Sequence, residues 1–337
     1  MKRPAVLLAP LAAVVAPFVG MGAAFAGPTP KPPLAATSSD VTPINGKAAG
    51  ALDINNKGLV VGWARVSGHT HMVQQPKGGA VQDLGQYSSA DTFADAVNNK
   101  GEIVGHAIGG SSANKRSIAF RWTTSGGYQS LPAPNGARFS WAEDINNKGQ
   151  AVVDVTGSLT GDDGAYLWNP GAATGIKLPD LGHGPAYATG INNDGTIVGY
   201  APADASGTVN HVVVWDPDNH AINDLGHGSV DSGAEAVNAD GTLVGWSGDH
   251  AWAWSDDGTL HWDLGPGHAT AVNGEGIAIG YGGDGLSLNV WDVDYDTITP
   301  LATGPGINEA NAINDKNVIA GEYDYTFATW GPFDPEA

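Results

Sequence analysis

The 337-residue sequence predicts an all-β fold, a seven-bladed β-propeller of four-stranded antiparallel blades closed by its N-terminal strand. Three observations point there. First, a core of Ala-x-x-Ile/Val-Asn-x-x-Gly recurs seven times, with its Asn at Asn55, Asn98, Asn146, Asn192, Asn238, Asn273 and Asn314. The steps between them run from 35 to 48 residues, the period of propellers and related repeat arrays. Second, each core is followed by enough short apolar segments for four strands per repeat, which is the composition of a propeller blade. Third, the fourth strands number one fewer than the third. Val41-Thr42-Pro43-Ile44 near the start reads like Ile298-Thr299-Pro300-Leu301, so it is expected to complete the last blade and remove an exposed edge.

The chain begins with Lys2-Arg3, an apolar stretch and Ala24-Phe25-Ala26, the pattern of a secretory signal over residues 1–26. Residues 27–39 are rich in Pro, Ala and Ser without apolar periodicity and read as a flexible linker. Residues 40–337 show no further change of composition and are expected to form one domain.

Within each repeat the core reads as a hairpin. A short strand enters Asn-x-x-Gly, whose residues tolerate positive φ, and a β-branched strand leaves, as in Ile197-Val198 and Leu243-Val244. A second Gly follows that strand, except that the third copy carries Val153 there. In the seventh copy Asn317 replaces the turn Gly. The third strand usually ends in Trp, as in Val212-Val213-Val214-Trp215 and Ala251-Trp252-Ala253-Trp254. The fourth ends near Asp-Leu-Gly, at Asp83, Asp180, Asp224 and Asp263 in four copies. The loops joining the second and third strands read as long in copies one to four and short in five to seven.

The Ala-x-x-Ile-Asn-x-x-Gly-x-Ile-Val-Gly core, the aromatic-x-Trp strand and the Asp-Leu-Gly strand together resemble the bacterial extracellular HAF-repeat family over residues 40–330. The His-Ala-Phe triplet itself is best approximated by His250-Ala251-Trp252, with His71 and His211 at the equivalent position in two other copies. The resemblance implies a secreted, propeller-like repeat protein and carries no catalytic residues.

Composition narrows the function. Without Lys2 and Arg3, 13 of the 15 basic residues remain against 35 acidic ones, a net charge of −22. That argues against nucleic acid and anionic membrane surfaces, which need clustered Lys and Arg. No membrane insertion is expected, and a monomer is. The absence of Cys excludes disulfides and a thiol nucleophile. The usual local signatures of serine hydrolases, zinc peptidases and phosphate-binding loops are missing.

Two sets of residues could carry a site. The residue after the second Gly is Trp63, His106, Asp154, Tyr200, Trp246, Tyr281 and Glu322 in the seven copies. Trp63, His106, Tyr200, Trp246 and Tyr281 are the ligand-binding candidates. Their rings suit stacking on sugars, or alternatively packing between blades. Asp95, Glu143 and Glu235 share one position on the first strand, where carboxylates lining a channel mouth could hold a hard cation such as Ca²⁺, or bond to blade-linking backbone. No other cofactor is indicated. The leading functional expectation is a secreted, non-catalytic binding or adhesion propeller that recognises extracellular or cell-surface glycans. The alternatives are a polysaccharide hydrolase or lyase using channel-mouth carboxylates, and a purely structural extracellular protein.

Overall fold

The computed structural model describes residues 49–111, 114–285, 287–293, 297–301, 308–323 and 326–332. The signal segment, the linker and Val41–Ile44 lie outside the described residues.

The architecture is an all-β propeller arrangement with four-stranded antiparallel blades. In each repeat, the first strand pairs with the second and the second with the third, all antiparallel, as in Tyr187–Ile191, Ile197–Pro202 and Asn210–Trp215. The second strand is central in its sheet and buried on both faces, which is why it reads as an unbroken apolar run. The cores lie between neighbouring sheets. Val152 and Leu167 of the third repeat, for example, pack with Ala188, Ile197 and Trp215 of the fourth. First strands neighbour one another in a cycle, and the last, Asn308–Ile313, lies beside the first, Ala49–Ile54.

The repeated Asn closes that cycle. In the fourth repeat Asn192 Oδ1 accepts the backbone N–H groups of Asp194, Gly195 and Thr196, each at 3.0 Å, and so holds its own turn. Its Nδ2 donates to the carbonyl of Asn238 in the next repeat, 3.1 Å away. The same inter-repeat bond links Asn55 to Asn98 and onward through Asn146, Asn192, Asn238, Asn273 and Asn314 back to Asn55. All seven side chains are buried, and each satisfies backbone donors of its own turn while adding a second bond to a carbonyl of the next repeat.

The two glycines of the core have different reasons. At the turn, Gly195 has φ +106° and Gly241 φ +81°, a region costly for a residue with a Cβ. Asn317 adopts φ +54° in the seventh copy, as Asn tolerates. The second Gly is a steric requirement instead. A β-bulge in the first strand, between Ala188 and Gly190 in the fourth repeat, turns a carbonyl toward it. A Cβ on Gly199 would lie 2.0 Å from the Tyr187 carbonyl oxygen, and one on Gly245 2.0 Å from that of Gly233. Nothing in the structure explains how Val153 fits at the same register in the third repeat.

Three expectations need correction. Five sheets contain four strands or more, not seven: four sheets have four strands and one has seven. The larger one forms because the strand His261–Val272 pairs first with His250–Ser255 and then with Ile277–Gly282, so the fifth and sixth repeats share a continuous sheet. The last sheet has three strands among the described residues. No N-terminal strand completes it there. Instead Asn314 and Asn311 bond the carbonyls of Asn55 and Ala51, and Asp315 N–H donates to Asn56 Oδ1. Finally, the first repeat has a tight turn at Ser67-Gly68 rather than a long loop between its second and third strands.

Candidate binding site at the channel mouth

The first strands line a central channel whose side chains fall into layers. At one end is the Asn ring. Above it, the position predicted from the sequence projects inward from every repeat: Leu52, Asp95, Glu143, Thr189, Glu235, Thr270 and Asn311 surround a cavity of about 220 Å³. Thr189, Thr270 and Asn311 each donate to a backbone carbonyl of the following repeat, at Ala234, Ala310 and Ala51. Asp95, Glu143 and Glu235 replace those donors with carboxylates.

The three carboxylates share the channel but not one ion's coordination shell. Asp95 Oδ2 lies 2.5 Å from His106 Nδ1, and Glu235 Oε1 lies 3.1 Å from His268 Nε2. Among the described residues no group of three or more His, Asp or Glu converges closely enough to hold a metal ion. Glu143 has no such partner among the described residues. Burial, with Asp95, Glu235 and Asp144 adding to it and His106 opposing, pushes it up to about 7. Asp95 is raised by burial, partly offset by His106. Burial alone would lower His106, but Asp95 and Glu143 outweigh it and raise the imidazole.

The outermost layer is built from pairs facing each other across each hairpin. The register sets Gly50 opposite Trp63, Phe93 opposite His106, Trp141 opposite Asp154, and Tyr187 opposite Tyr200. It continues with Gly233 opposite Trp246, His268 opposite Tyr281, and Glu309 opposite Glu322. All five predicted ligand-binding candidates, Trp63, His106, Tyr200, Trp246 and Tyr281, therefore belong to one layer, and each is only half-buried. Four of them, Trp63, His106, Tyr200 and Trp246, form contiguous runs with rings of facing or neighbouring strands. Phe93 stacks on His106 at 4.9 Å and meets Trp63 at 6.3 Å. Tyr200 meets Tyr187 at 5.5 Å and Trp246 at 5.7 Å, and Trp246 meets His268 at 4.8 Å. These contacts fix the rings' orientation while leaving surface open. Burial, then Asp154 and Glu235, pushes the Tyr200 hydroxyl up to about 12, so it is a neutral donor at ordinary pH.

Several further residues complete the layer. A Cβ on Gly233 would lie 2.2 Å from the Trp246 ring, and one on Gly50 2.6 Å from Trp63 Nε1. The missing side chains give both indoles room to lie across the hairpin. Trp141, Tyr187 and His268 join the layer from the opposite strand. Asp154 is buried, and burial followed by Glu143 raises it well above the ordinary carboxylate range. The Gly opposite Trp in two copies was the available signal, but it needed the register, which the bulge shifts by one residue.

The His near the start of the third strand in three repeats has a structural role. His71, His211 and His250 bond through Nδ1 to Asp83, Asp224 and Asp263 of their own Asp-Leu-Gly strands, at 2.7 to 2.9 Å. Each Asp also accepts the N–H of its Gly two residues on.

No family model matches the chain, and no curated protein does. Among solved structures, it is similar to a catalytically inactive virginiamycin B lyase from Staphylococcus aureus with quinupristin, at 12% identity and TM-score 0.58 over 85% of this chain and 96% of that one. It is also similar to the RRP9 WD40 repeats, at 10% identity and TM-score 0.56 over 85% and 94% of the two chains. A chain of the Mitotic Checkpoint Complex aligns at 13% identity and TM-score 0.55 over 84% and 89%. At these identities the likeness is one of fold alone, and it agrees with the propeller arrangement. Among the described residues, no helix is long and apolar enough to cross a membrane.

Proposed function

We propose that this is a secreted, non-catalytic binding propeller whose channel mouth recognises extracellular or cell-surface glycans. The observation that carries this reading is the outer layer of half-exposed rings, Trp63, Tyr200, Trp246 and Tyr281 with Trp141 and Tyr187 opposite, on the innermost hairpins of the fold. Aromatic faces stack on the apolar faces of sugar rings, and nearby carboxylates and neutral hydroxyls accept and donate to sugar hydroxyls. A site on strands rather than loops needs little reorganisation before binding. Secretion rests on the N-terminal pattern. A glycan array probed with the purified protein and with Trp246→Ala tests the reading. Binding by the wild type that the variant loses supports it, and a blank array for the wild type overturns it.

One observation favours a second reading. Glu143, held up at about 7 without a described partner, has the protonation behaviour of a general acid. Release of new reducing ends from a polysaccharide, abolished in Glu143→Gln, would establish a hydrolase instead.

A further inference from the structure

The outer layer is irregular at one place. In the seventh repeat the facing pair consists of two carboxylates, Glu309 and Glu322, directly opposite across the hairpin. Like charges so placed repel and destabilise a strand pair. Glu322 is only 8% exposed, and no hydrogen bond or ion pair to a described residue engages it. A buried carboxylate in that condition is costly unless something compensates it.

The surroundings show what could. The point that a Cβ on Gly50 would occupy lies 2.9 Å from Glu322 Oε2 and 2.6 Å from Trp63 Nε1, so a carboxylate and an indole border the same glycine-opened space. Tyr281, in the neighbouring repeat, lies within electrostatic reach of both carboxylates. Burial first, then Glu309 and Glu322, pushes its hydroxyl up to about 12. Glu322 itself is pushed up to about 6 by burial and by Glu309. The nearest basic group along the strand from Trp63 is Arg65, whose Nη1 donates to Thr70 Oγ1 at 3.0 Å. The corner thus combines two carboxylates, an indole and a neutral phenol, and no described base neutralises it.

Resting on the glycan reading above, we infer that this corner takes the ammonium group of an amino sugar, with Glu322 and Glu309 as its counter-charges and Trp63 against the ring. An ammonium placed between carboxylates and an aromatic face gains charge-assisted hydrogen bonds and a cation–π contact together. A neutral sugar offers neither and leaves the carboxylate pair uncompensated. An anionic sugar adds a further like charge.

Titration calorimetry at neutral pH separates the two layers of the claim. The probes are a β-1,4-linked glucosamine oligomer, its fully N-acetylated counterpart, a glucose oligomer of equal length, spermine and calcium chloride. The glucosamine oligomer is expected to bind at least about tenfold more tightly than its acetylated counterpart, the free-energy difference of one charged contact. Glu322→Gln should erase that preference while keeping the melting transition, since the amide preserves shape and removes repulsion. Trp63→Phe should weaken both oligomers and keep the preference. Equal binding of the two glucosamine oligomers, or an unchanged preference in Glu322→Gln, would overturn the amino-sugar assignment and leave glycan binding standing. Spermine or calcium binding as tightly as the glucosamine oligomer, with the same dependence on Glu322, would leave a cation site and overturn the glycan reading. Silence with every probe would overturn both.

Discussion

The two ends of the channel are made by the same hairpins and obey opposite rules. At the base, one residue type occurs in all seven repeats, each Asn making the same bonds to its own turn and to the next repeat. At the mouth, the residue after the second Gly differs from repeat to repeat: Trp63, His106, Asp154, Tyr200, Trp246, Tyr281 and Glu322. At the base, a repeated polar side chain solves a backbone problem that every repeat shares. At the mouth, side chains that vary while the backbone stays constant are solving no shared problem. The comparison teaches that in a repeat protein uniformity identifies the support and departure identifies the place to look for a ligand.

The contrast can be broken at its strongest point first. Gly199→Val puts a side chain where the Cβ alone would sit 2.0 Å from a backbone carbonyl, and is expected to cost about 4 kcal/mol or prevent folding, read by urea denaturation. The mirror change in the third repeat, Val153→Gly, should cost far less than that clash, because it only removes buried apolar atoms. Asn192→Ala comes next. It removes the side-chain acceptor shared by three backbone N–H groups, of which Gly195 keeps a backbone partner, and one of the two donors to the Asn238 carbonyl, for an expected loss of about 3 kcal/mol. Gly195→Val, at φ +106°, should cost roughly 1–3 kcal/mol.

The acidic layer gives a smaller, pH-dependent effect. A carboxylate whose pKa is higher folded than unfolded favours the folded state at acid pH, and that contribution is lost as pH rises through the folded value. Burial raises Asp53 and Glu143 to about 7 and Asp144 and Glu322 to about 6, from ordinary values of 3.8 and 4.5. Melting temperature should therefore fall as pH rises from about 5 to about 8. Glu143→Gln should flatten the curve, and a curve that rises with pH would contradict these shifts.

Much of the support was legible in the sequence and little of the site was. The Ala-x-x-Ile-Asn-x-x-Gly pattern encodes the hairpin, its positive-φ turn and the channel-lining position of Asp95, Glu143 and Glu235, because those depend on spacing within about ten residues. The Asn ring was not legible, since Nδ2 reaches a residue 35 to 48 positions away, and 259 positions away where the ring closes. Nor were the pairings Gly50–Trp63 and Glu309–Glu322, because the bulge shifts the register and no local signal announces it. The ion pairs Asp95–His106 and Glu235–His268 came from two different geometries, one within a hairpin and one between repeats. A repeat position alone could not distinguish them. The fusion of the fifth and sixth repeats into one sheet followed from a short Gly265-Pro266-Gly267 connection that reads in sequence like any other turn.

The central claim is that the uniform layer supports the fold and the varied layer binds. Trp246→Ala tests it most directly when glycan binding and denaturation are measured on the same sample. The account predicts that binding to the wild type's array targets disappears while stability falls by only about 1–2 kcal/mol, since the ring is half-exposed. Retained binding, or a loss of stability as large as that of Asn192→Ala, would make the mouth aromatics packing residues and contradict it.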